Sequence, residues 1–243
     1  MKTKRRSLRT IPLPAVALLA ALSVALPAQR QDSNAPYANM APIDQYLMAD
    51  RDAEIALART AAPKSISDGA EVLVLGRDGY TTAVKGGNGF VCLVERAFAA
   101  STDFNEFWNP KNRSPICLNA TAARSHVPLQ QMKAKLVLAG KSKAEIAQAV
   151  TSAFDNKELP LPEPGAMCYM MSKQQYLNDG ARNWHPHLMW FVSGDAAKSW
   201  GAGLPDSPVM AANDPEERMT ILMIWVDHWS DGTPAPQCRR IRE

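Results

Sequence analysis

Along residues 42–63 the apolar side chains Ile43, Leu47, Ile55 and Ala58 recur at helical intervals, opened by Pro42 and stopped by Pro63, which predicts a helix. The period then changes. Glu71 to Leu75 (EVLVL) and Tyr80 to Lys85, joined by Gly76-Arg77-Asp78-Gly79, read as a β-hairpin. Gly86-Gly87-Asn88-Gly89 turns the chain again, and Phe90 to Glu95 (FVCLVE) supplies the third strand of an antiparallel meander. Asp103 with Glu106 has the form of a capping box for a short helix ending at Asn109-Pro110. Pro128 to Ala139 is a further helical stretch, closed by Gly140, and Ser142 with Glu145 caps an amphipathic helix to about Asn156.

After the proline-rich connector Leu159 to Pro164, Ser172 with Gln175 predicts one more short helix ending at Gly180. His187 to Val192 (HLMWFV) and Thr220 to Val226 (TILMIWV) are apolar on both faces, as central strands are. Between them, Asp195 to Pro215 reads as an irregular loop. The order implies an α+β domain: a mostly antiparallel sheet of about five strands with helices packed on one side. Neither an internal repeat nor a compositional break divides it, so residues 42–243 are expected to form a single domain.

The N-terminal pattern differs from the rest. Lys2 to Arg9 is basic, Ile11 to Leu26 is apolar, and Ala28 offers a small residue for cleavage, the three parts of a secretory signal over residues 1–28. The apolar stretch is short for a bilayer, which needs about 20 residues. Residues 29–41 are polar at first and aperiodic, and are expected to form a flexible tail. The chain holds 27 Lys and Arg against 24 Asp and Glu, but five of those bases fall in the leader, leaving 22 against 24. A slightly acidic remainder excludes a nucleic-acid partner reached through general basicity, and no later stretch is apolar enough to span a membrane. A periplasmic or secreted location follows.

Four cysteines, Cys92, Cys117, Cys168 and Cys238, all lie beyond the leader. An even number in an oxidising compartment points to disulfides, with Cys92–Cys117 favoured because both flank strand-like runs. Cys168 pairs with Cys238 or stays a buried thiol. No Cys-x-x-Cys spacing supports zinc.

Candidate chemistry is sparse. Of the four histidines, His185 and His187 flank Pro186 at the entry to a predicted strand, and His228 ends the last one. Residues two apart in an extended segment share a face, and antiparallel pairing of the two strands would add the third imidazole. Three imidazoles are a ligand set for a divalent transition metal. Met167, Met170 and Met171 beside Cys168 would suit copper, although methionine is also a common core filler. Glu95, Asp103 and Glu106 offer carboxylates at strand-end and cap positions. Serine-hydrolase and thiol-phosphatase spacings are missing from the sequence.

The segments GFVCLVER (89–96), FWNPKNRSPIC (107–117), PEPGAMCYMMSKQ (162–174), WHPHLMWF (184–191) and WSDGTP (229–234) together resemble a group of bacterial exported proteins with no assigned activity. The resemblance implies a bacterial exported single domain, periplasmic or secreted, and carries no site residues. Two functions stay open on the sequence: binding of a metal or small molecule through the His-x-His pair, with or without catalysis, and a non-catalytic envelope module that holds a partner without metal.

Overall fold

A computed structural model describes residues 36–236. The expected leader, the first part of the 29–41 tail and Cys238 lie outside the described residues. Within the tail, Tyr37, Met40 and Ala41 pack against the main core.

The described chain is α+β, as its pattern predicts, but its sheet is larger than expected and is mixed. Eight strands run in the order β2-β1-β3-β4-β5-β6-β8-β7. Their ranges are β1 Glu71–Gly76, β2 Gly79–Val84, β3 Val91–Glu95, β4 Ser114–Leu118, β5 Met167–Met170, β6 His187–Ser193, β7 Met210–Asp214 and β8 Met219–Trp225. Strands β4, β5 and β7 are the additions; β7 lies inside the stretch expected to be irregular. Its Met-Ala-Ala-Asn-Asp sequence has little β propensity, and pairing of its whole length with β8 holds it at the sheet edge.

The expected meander is also corrected. β1 and β2 form the predicted hairpin, but β3 lies on the other side of β1 and runs parallel to it, with Glu71 opposite Val91 and Val72 opposite Cys92. The glycine-rich turn carries the chain across the start of β1. A Cβ on Gly86 would lie 2.0 Å from the amide nitrogen of Glu71, so only glycine permits the crossing. The Gly87 amide donates to the Gly69 carbonyl at 2.9 Å, and the Asn88 side chain to the Ile66 carbonyl at 2.7 Å.

Four α-helices accompany the sheet: α1 Arg51–Arg59, α2 Lys64–Ser67, α3 Ala120–Leu138 and α4 Lys143–Asp155. They lie on both faces, not one. Alternation along β3 shows it: Cys92 and Val94 join Leu57 and Ala58 of α1, whereas Leu93 joins Leu129 of α3 and Ile146 of α4. Strands buried on both faces account for the continuous apolar runs of β3 and β4.

The capping box of Ser142 and Glu145 is made in full at the start of α4. Two other expected helices do not form. Asp103 to Asn109 is a series of turns in which the Glu106 carboxylate accepts from the Asn109 side chain and the Asp179 amide. After Ser172 the chain is likewise irregular, and the Ser172 hydroxyl meets that of Thr60 at 2.6 Å. The helix expected from Pro42 is a single 3-10 turn at Ile43–Gln45, followed by α1 with Asp50 as its cap.

Candidate functional site

Helix α3 extends well beyond its expected start. Asn119 caps it by accepting from the Ala122 amide, and the helix runs through Pro128 instead of beginning there. The extra turns bring His126 over the sheet, one turn ahead of Gln130 and near Lys133 on the buried side.

α3 lies over β2, β4 and β5, and its His126 reaches Phe191 of β6. A cleft of about 400 Å³ opens beside it. Ile116, Met170, Met189, Phe191 and Ile221 give it an apolar floor, with the 97–104 loop on one wall and the β7–β8 turn on the other. Such a volume suits a small organic molecule.

Its chemistry is concentrated in a few buried polar groups. His126 and Glu95 are each 7% exposed, and His126 Nε2 meets Glu95 Oε1 at 2.6 Å. The imidazole stacks on Phe191 with centroids 4.7 Å apart. In this contact Nε2–H donates to the carboxylate oxygen when Glu95 is ionised, and Nδ1 is a lone-pair acceptor or an N–H donor according to the charge of the ring. Nδ1 is buried and has no partner among the described residues. Nearby, the Lys133 ammonium is ion-paired with Glu217 and donates to the carbonyls of Ala99 and Ala100, at 3.0 and 2.7 Å. One lysine thus ties both cleft walls to α3. Burial pushes the Glu217 carboxyl above its usual range, against the opposing pull of Lys133. Asp214 Oδ1 accepts from the Glu217 amide and holds the turn.

This set can bind a polar group and move a proton between Glu95, His126 and a ligand. It lacks an activated nucleophile. The Cys168 thiol is fully buried, and burial together with the Glu95 charge holds it well above the usual thiol range, so it stays protonated.

The residues expected to hold a metal are placed otherwise. β6 and β8 are antiparallel neighbours, with His187 opposite Trp225. The His187 ring is buried against Trp184, its Nδ1 meeting the His185 carbonyl at 2.7 Å. His185 stacks on Trp225, with centroids 5.0 Å apart. His228, half exposed, is engaged with the carboxylate of Asp227 at 2.6 Å. Among the described residues, no group of three or more His, Cys, Asp or Glu side chains is arranged to hold a metal ion. Met170 lines the cleft as part of its apolar floor.

The Cys92–Cys117 disulfide is present, joining directly opposed residues of β3 and β4 on the α1 face. No described helix is long and apolar enough to cross a membrane. Sequence reasoning passed over His126, Lys133 and Glu217. For Lys133 the signal was the apolar spacing from Leu129 onward, but a start at Pro128 left His126 outside the helix, and nothing local marked Glu217 in the β7–β8 turn. Comparison with protein-family models, curated proteins and solved structures finds no match to the chain.

Proposed function

We propose that this protein is exported by a bacterium and there binds a small, mainly apolar molecule in the cleft beside α3, with His126 and Glu95 as the polar anchor. The observation that carries this reading is a buried carboxylate–imidazole pair at the edge of a hollow lined by methionine, isoleucine and phenylalanine. Clefts of this size, apolar with a few convergent polar groups, are the usual form of small-molecule sites. Methionine adapts its shape to varied ligands at little cost. Export is supported by the leader pattern and the cross-strand disulfide, which oxidising compartments preserve.

The test is a ligand-observed NMR screen of apolar fragments bearing one polar group, against the parent and an Ala212→Trp variant. Ala212 is exposed on edge strand β7 at the cleft mouth, so an indole there blocks entry without disturbing the core. Expected are binders that compete with one another and lose their signal in Ala212→Trp. Binders indifferent to that substitution would place the site elsewhere and overturn the reading.

A further inference from the structure

We propose that the molecule bound in the cleft carries a protonated amine on an apolar body. This deepens the reading of the cleft as a binding site and rests on it.

The argument is an accounting of donors and acceptors. The buried donors on the cleft wall are already engaged. Asn112 donates to the Leu177 carbonyl at 2.5 Å and the Ser114 hydroxyl to Asn112 at 3.0 Å. Arg96 donates to the carbonyls of Tyr46 and Val94 and to Glu54, with which it is ion-paired at 2.9 Å. Ser101, Asn178 and Asn213 line the cleft at half-buried or exposed positions, so the spare capacity at its buried positions lies in the carboxylates. Glu95 uses one oxygen, on His126, and Asp214 uses one, on the Glu217 amide; neither has a second hydrogen bond among the described residues. His126 Nδ1 is buried and has no partner among the described residues, so the ring meets the cleft through its stacked face and its bond to Glu95.

Charge points the same way. Glu95, Asp103, Asp214 and Glu217 all line the cleft. Of these, Glu217 is matched by Lys133, Glu95 meets only His126, and Asp103 and Asp214 have no ion-pair partner among the described residues. A buried carboxylate short of a counter-ion favours a cation that replaces its lost hydration. An ammonium group supplies three donors, no acceptor and one positive charge, which complements this inventory; a carboxylate ligand would add both repulsion and surplus acceptors.

The test is calorimetric titration of the full chain at pH 7 with three probes of matched size: 2-phenylethylamine, 2-phenylethanol and 3-phenylpropionate. The amine is expected to bind at least about tenfold more tightly than the alcohol, as a charge-assisted hydrogen bond allows, with the carboxylate weakest. Glu95→Gln and Asp103→Asn should each shrink the amine's advantage by weakening the amine more than the alcohol. Asp103 is exposed, so its variant decides the matter even where Glu95→Gln does not fold. Alcohol or carboxylate binding as tightly as the amine, all three blocked by Ala212→Trp, would overturn the charge assignment and leave the cleft intact. No binding by any probe, or amine binding that ignores every substitution, would overturn the inference and the cleft reading together.

Discussion

His187 is 1% exposed, and its burial lowers the imidazole pKa from the usual value, outweighing the opposite pull of the His185 carbonyl. In the unfolded chain the same ring titrates near pH 6.5. The unfolded state therefore binds more protons between the depressed folded value and about 6.5, and stability is lost as pH falls through that window. A His187→Leu variant lacks this contribution. Urea denaturation at pH 7 and pH 5 should show the variant losing less stability on acidification than the parent; equal losses would show that His187 is not the group responsible. The other histidines illustrate the same rule of local satisfaction. His126 is engaged by Glu95 and His228 by Asp227, so a His-x-His spacing in the sequence did not translate into a shared ligand set.

Two elements carry unusual constraints. Pro128 lies inside α3, where it supplies no amide to the carbonyl one turn back, a defect worth about 3 kcal/mol in an isolated helix. Packing of Leu129, Ala134 and Val137 into the core holds the helix together across it. Pro128→Ala is expected to stabilise the protein by about 1–2 kcal/mol once the looser unfolded chain is allowed for; a loss of stability in urea would mean that the proline ring itself packs usefully. The second constraint is the disulfide. It closes a sequence separation of 25 residues between β3 and β4, a loop that includes the 97–104 wall of the cleft. In the chain-entropy view such a link contributes about 3 kcal/mol. A Cys92→Ala, Cys117→Ala double variant should unfold at a correspondingly lower urea midpoint, and an unchanged midpoint would show that the native contacts alone suffice.

For the whole molecule, the sheet divides its labour. The helix-covered part of the sheet forms the core, which reaches Phe191 of β6 and Met219 of β8, while the cleft opens between the 97–104 loop and the β7–β8 turn. On the proposal that the protein is exported, the oxidising compartment is what lets the stabilising bond form. Protein recovered from the envelope of a bacterial host that made it with its own leader is expected to begin at Gln29 on N-terminal sequencing. Recovery with Met1 still in place would remove the export reading.

The α+β class, the β1–β2 hairpin, the α4 capping box, the Cys92–Cys117 bridge and the two C-terminal strands were legible in the sequence, because each rests on local periodicity, cap chemistry or flanking pattern. The parallel placement of β3, the edge strand β7, helices on both faces and the start of α3 were not. Each depends on partners distant in the chain: β8 holds a strand of weak propensity, and the core overrides a proline. The Glu95–His126 pair belongs to this second group, since its members are 31 residues apart and meet only when α3 crosses the sheet. Local pattern determines which elements form; what they jointly enclose depends on packing, where long-range burial outweighs local preference.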